Sequence, residues 1–198
     1  MYLPVGIQAT SAERILSTAL DQFATKGYDA TSVREICEAA GITKPTLYHF
    51  FGSKDGVLQA LVQAGFQQYR ALVNNAMDTP GSFQDRVKVL ARSVFESARK
   101  KPLFWRFIHS VIWAPPGTAL PQTESCTQFY DGVVGILAAA ADKAVARGEI
   151  APGPTGARML ILMGAISEAA TGFVIAGKPE LTPELADDIV QTIFNGWQ

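Results

Sequence analysis

Cysteine is scarce in this chain of 198 residues: Cys37 and Cys126 are the only two. They fall in separate predicted helices, so they form no disulfide framework and point to a reducing compartment, where they either pack inertly or sense redox state. Histidine is as scarce. His49 and His109 lie far apart, and no histidine–cysteine cluster has metal-ligand spacing, so no metal site is expected. A phosphate-cradling glycine loop and a nucleophile elbow are missing too. An enzyme built from these residues would need Glu168 or His109 to work unaided, so neither catalysis nor a cofactor is expected. Charge of one sign is not in excess: 17 Lys and Arg against 18 Asp and Glu leave a net charge of −1, which argues against a generally basic nucleic-acid binder. Even residues 1–60 hold five basic and six acidic side chains. The first residues, Met1 to Gln8, lack the basic start and apolar length of a signal peptide, so a cytoplasmic protein is expected. Repeats, low-complexity tracts and convincing strand patterns are absent.

What is present is helix. With 48% hydrophobic and 18% charged residues the chain can bury a sizeable core. Thr10-Ser-Ala-Glu13 is a capping box opening a first helix whose Ile15, Leu16, Ala19, Leu20 and Phe23 form one apolar stripe ending before Gly27. A fourth helix runs from Ser53 to about Met77 and is broken by Asp78-Thr-Pro-Gly81. Further patterns cover 82–100, 103–113, 122–147, 155–176 and 183–197, separated by Pro- and Gly-containing breaks. The fold expected is all-α, about nine helices. A first domain, 1–53, connects through the helix 54–77 to a second domain, 54–198. The longest apolar run, Met159 to Ala176, nears the length of a membrane span, but Glu168 sits near its middle and small residues abound, so a buried helix and no membrane contact are expected.

Thr31 to Leu58 is the most informative stretch. Ser32 and Glu35 form a second capping box, and Val33, Ile36, Cys37 and Ala40 repeat with helical spacing. Gly41 ends that helix, since only glycine enters a left-handed turn without steric cost. Thr43 is the next N-cap, Pro45 falls in the first turn where it is tolerated, and Ile42 and Leu47 are spaced for a hydrophobic staple. Leu47, Phe50 and Phe51 are assigned inward on this short helix, which leaves Lys44, Pro45, Thr46, Tyr48 and His49 outside. Thr43 to Lys54 carries two lysines and a histidine with no acid, and the helix N-termini at Ser32, Thr43 and Ser53 add dipoles that favour phosphate. The pattern reads as a helix-turn-helix.

With Phe23, Gly27, Tyr28 and Thr31 upstream and Phe50, Lys54 and Leu58 downstream, about fifty residues from Glu13 to Val62 resemble the DNA-binding domain of the TetR family of bacterial transcriptional regulators. Cys37, where the family usually has a small residue, and Gly56 in the first turn of the fourth helix are departures. The resemblance implies a homodimer on palindromic double-stranded DNA with the helix from Thr43 in the major groove. Thr31, Ser32, Arg34, Tyr48, His49 and Lys54 are then expected mainly to hold phosphates, with Lys44, Pro45 and Thr46 nearest the bases and Thr43 among the DNA-binding residues at the helix start.

The second domain invites a ligand reading. Phe104, Trp105, Phe107 and Trp113 crowd one predicted helix with His109, Phe129 and Tyr130 follow in the next, and Met163 and Glu168 lie in the apolar helix. This mixture suits a mostly apolar pocket with polar anchors for a lipophilic, aromatic-containing small-molecule effector, although each ring taken alone suits plain core. Ala165, Ala169, Gly172 and Ala176 make a small-residue strip, and Ile189, Ile193 and Trp197 an apolar face. In the family the last two helices pair with their copies, which implies the same dimer interface here. The function expected is a ligand-released repressor. The alternative is an effector-independent or activating regulator whose second domain only dimerises.

Overall fold

The computed structural model describes residues 10–112 and 124–196, with the backbone alone for 124–130. Among the described residues there are nine α-helices and no strand: α1 (Ser11–Lys26), α2 (Val33–Ala40), α3 (Lys44–Phe51), α4 (Lys54–Met77), α5 (Phe83–Lys100), α6 (Pro102–Ile112), α7 (Glu124–Ala146), α8 (Thr155–Ala176) and α9 (Pro183–Asn195). The chain divides into two compact units, Met1–Gly65 with Phe107–Gln122 and Phe66–Arg106 with Thr123–Gln198, so α4 and α6 each run through the division. In α4 the division falls between Gly65 and Phe66, both of them buried.

Helix starts in the first unit follow from local hydrogen bonding. Thr10 Oγ1 accepts from Glu13 N–H at 3.3 Å while Glu13 accepts from Thr10 N–H at 2.8 Å, and Ser32 and Glu35 repeat the exchange at 3.2 and 2.8 Å. Each box satisfies two backbone donors that a helix end otherwise leaves open. Gly41 stops α2 at φ 63°, ψ 42°; its N–H reaches Glu38 O and the Ile42 N–H reaches Cys37 O, which closes the left-handed end. Thr43 Oγ1 then accepts from Thr46 N–H at 3.4 Å to start α3, with Pro45 in the first turn. α1 packs on α2 and α3, and α2 on α3. Ile15, Ala19, Phe23, Ile36, Cys37, Ala40 and Leu47 are buried in this unit, and Phe107 stacks on Phe23 with centroids 6.3 Å apart.

Gly56 marks a close approach. A Cβ there would lie 1.8 Å from the Phe51 carbonyl oxygen, and the Gly56 N–H is capped by Ser53 Oγ at 3.0 Å. The glycine that looks like a flaw in a helix is what lets α3 turn directly into α4.

In the second unit α5 packs on α7, α8 and α9, α7 packs on α8, and α8 on α9. Its core runs from Val73 through Val87, Leu90, Val94, Leu137, Leu162 and Ile166 to Phe194; burying each large aliphatic or aromatic side chain is worth roughly 1.5–3 kcal/mol. Glu149 accepts the Phe83 N–H at 2.6 Å and so caps α5 from across the unit. Arg92 grips Asp187 through two N–H donors and ties α5 to α9. α8 is long and apolar enough to cross a membrane by length and composition, yet Met159, Leu162, Met163, Ile166, Ala170 and Val174 are all buried within this unit.

Candidate nucleic-acid interface

The first unit presents one face built by α2, the Gly41 turn and α3. Leu47 is the one α3 side chain that is buried. Opposite it, Lys44, Pro45, Tyr48 and His49 are exposed and Thr46 is half-buried. Thr43 Oγ1 and Thr46 Oγ1 lie 2.9 Å apart and hold each other at the start of α3. On α2, Ser32 is exposed at the N-cap and Arg34 lies beside Glu38 at 3.6 Å, a loose pair in water that leaves the guanidinium free to turn. The arrangement offers cationic and hydroxyl groups beside two helix N-termini, a combination suited to phosphate oxygens and base edges.

Three side chains lie elsewhere than expected. Thr31 is 1% exposed and its hydroxyl donates to Gly27 O at 2.8 Å, so it closes the α1–α2 turn and is not available to a phosphate. Lys54 turns inward: Nζ donates to the carbonyls of Tyr28 and Thr31, both at 2.9 Å, and lies 4.1 Å from the centroid of the Tyr28 ring. Phe50 is 49% exposed. In an eight-residue helix whose inward face is one residue wide, Phe50 lies about 60° to one side of Leu47 and Phe51 about 40° to the other, and it is Phe51 that is half-buried. Spacing alone did not separate these two neighbours. The signal available was the narrow inward arc of so short a helix.

Electrostatics brace the frame. Hydrogen bonds from the Ser32 backbone and hydroxyl, then Lys26 at 3.1 Å, lower the Glu35 carboxyl from 4.5 to about 2. Burial, followed by the hydrogen bond to Asp55, pushes the Tyr28 phenol well above its ordinary range. Burial also raises the Cys37 thiol. A buried protonated thiol is inert packing, which argues against redox sensing there; the Cys126 side chain lies outside the described residues.

The expected ligand residues are scattered. Phe107 belongs to the first unit, stacked on Phe23. Trp105 packs edge-on to Tyr69 and donates Nε1–H to Ser97 Oγ at 3.2 Å, so its polar atom is already used. Met163 is core, and Phe104 and His109 are half-buried. Glu168 is exposed and is no buried anchor: α8 leaves Ala157, Leu160, Ile161, Gly164, Glu168, Ile175 and Ala176 in water, which puts the carboxylate in the middle of an apolar strip at helical spacing. Trp113 and the side chains of Phe129 and Tyr130 lie outside the described residues, as does Trp197.

The four residues of the small-residue strip differ in exposure: Ala176 is in water and the other three are half-buried. A Cβ on Gly172 would stand 2.7 Å from Lys178 O, so that glycine serves its own chain. Ala165 and Ala169 are half-buried, and Ala169 packs against the core together with Ile189 and Ile193. The large apolar side chains exposed on α8 are Leu160, Ile161 and Ile175, the last 67% exposed.

Residues 15–61 match the profile "Bacterial regulatory proteins, tetR family". The chain is similar to the HTH-type transcriptional repressor KstR2 of Rhodococcus jostii, 29% identical over 129 residues, covering 63% of this chain and 62% of that protein. It is also similar to the HTH-type transcriptional activator FasR of Mycolicibacterium smegmatis, 27% identical over 118 residues, covering 58% and 54%. Both matches thus span less than two thirds of the relative. Among solved structures, the transcriptional regulator FadR from Bacillus subtilis in complex with stearoyl-CoA superposes with a TM-score of 0.79 at 19% identity, over 93% of this chain and 98% of that one. At that identity the likeness is one of fold.

Proposed function

Since the chain belongs to the TetR family of bacterial regulatory proteins, we propose that it is a homodimeric repressor that holds a palindromic operator through α3 in successive major grooves and is released by a lipophilic small molecule. The observation that carries the DNA reading is the α2–Gly41–α3 turn. Two capped helices joined through a left-handed glycine leave only Leu47 of α3 buried and its polar arc in water. Lys44, Pro45 and Thr46, at the α3 N-terminus, lie nearest the bases; Ser32, Arg34, Thr43, Tyr48 and His49 hold the backbone.

Dimerisation is supported by the exposed Leu160, Ile161 and Ile175 on α8, apolar surface that a second copy covers. Repression follows the sign of KstR2; FasR, an activator, supports the opposite sign as the second reading. The effector class rests on FadR, whose structure holds stearoyl-CoA, and on the apolar second unit: a long-chain acyl ligand suits such surroundings. α6 carries Trp105 and Arg106 in the second unit and Phe107 in the first, so a ligand that moves α6 acts on the Phe107–Phe23 stack. A tenfold loss of DNA affinity requires only about 1.4 kcal/mol of preference for the released state.

The test selects duplexes from a random library with the purified protein and measures affinity, stoichiometry and salt dependence. A palindrome bound as a dimer, released by long-chain acyl-CoA that also raises the melting temperature, is the expected result. Binding of equal strength to all sequences overturns the operator reading, and no thermal shift with any acyl-CoA overturns the effector reading.

A further inference from the structure

Phe50 is a large apolar side chain left in water on the helix assigned to DNA. The core does not need it, since Leu47 and the half-buried Phe51 supply the inward contacts of α3. It has no polar atom, so it cannot hold a phosphate. Its ring lies 5.3 Å from His49, edge-on, and 6.2 Å from Phe51, which places it beside His49, one of the two α3 side chains, with Pro45, that point most directly away from Leu47. Thr46 stands one turn before it on the same side. α3 has eight residues and so is about 12 Å long, close to the width of the major groove. Phe50 falls about 9 Å from its start, within that span.

The base edges of the major groove offer donors, acceptors and one apolar group, the C5-methyl of thymine. We propose that Phe50 is a specificity-determining residue that packs against a thymine methyl in each half-site. This rests on the DNA-binding reading above and adds to it a base preference that the polar residues of α3 do not supply. Covering the ring in the complex also accounts for its exposure in the free protein.

The experiment uses the full-length protein and the duplex it selects from a random library, with every thymine replaced in turn by deoxyuridine, which removes only the methyl. One position in each half-site is expected to weaken wild-type binding about fourfold, the burial of roughly one methyl group. Phe50→Ala is expected to bind the thymine duplex more weakly and to be indifferent to deoxyuridine there, while Phe50→Leu keeps part of the discrimination. Both variants should melt as the wild type does, because the side chain is exposed. Where Phe50→Ala binds too weakly, the comparison is made at lower salt, which strengthens phosphate contacts without restoring the methyl contact. A wild type indifferent to every deoxyuridine, or a penalty equally large in Phe50→Ala, overturns the proposal and leaves the DNA-binding reading standing. Failure to select any duplex overturns both.

Discussion

Lys54 stands at the first position of α4, where a helix dipole disfavours a cation. Two carbonyls and an aromatic face compensate, and they turn the side chain into a clamp between the α1–α2 turn and α4. Removing the ammonium leaves the carbonyls of Tyr28 and Thr31 without that donor. Lys54→Ala is therefore expected to cost about 2 kcal/mol of stability, read from denaturant unfolding. It should weaken DNA binding through a loosened frame while leaving the salt slope as in the wild type. Arg34→Ala, at an exposed site, is expected to show the converse: stability within about 0.5 kcal/mol of wild type and a salt slope shallower by about one phosphate. If Lys54→Ala flattens the salt slope and leaves the melting curve untouched, Lys54 is a phosphate ligand after all.

At the scale of elements, the α3–α4 corner and the α2 cap make opposite kinds of demand. Helix propensity alone predicts that Gly56→Ala gains up to about 1 kcal/mol. The Phe51 carbonyl standing 1.8 Å from the added Cβ reverses that sign, and a loss of about 1–3 kcal/mol is expected from the forced shift. A stabilised Gly56→Ala protein in calorimetry would show that the corner relaxes freely. The α2 cap is sensitive to acid. Glu35 is lowered from 4.5 to about 2 by its bonds to Ser32 and Lys26, so the folded state binds its proton later than the unfolded state does. Its contribution is complete above about pH 4.5 and is lost as pH falls towards 2. The stability difference between wild type and Glu35→Gln should accordingly shrink across that window. A difference that stays constant from pH 5 to pH 2.5 would remove the cap from the account.

For the whole molecule the proposed dimer is tested at α8. Ile161 is exposed in the free chain, so Ile161→Glu should fold with unchanged helix content, whereas Leu162→Glu, one residue along and buried, should not fold. In analytical ultracentrifugation Ile161→Glu is expected to sediment as a monomer. Its affinity for a palindrome should fall about a hundredfold, because two half-sites no longer bind as one. An Ile161→Glu protein that remains dimeric would move the interface elsewhere.

Much of this was legible in the sequence, because it is local. The capping pairs Thr10–Glu13 and Ser32–Glu35, the Gly41 stop and the Thr43 cap act over three or four residues, and each formed as its spacing predicts. With them came the all-α class and the helix-turn-helix. Tertiary structure alone decided the inward turn of Lys54, the exposure of Phe50, the need for glycine at 56 and the placing of Glu168 in water. Each depends on which atoms other helices or turns bring near. Periodicity specifies a face of a helix, but only the packed neighbour determines whether a residue at the edge of that face is covered.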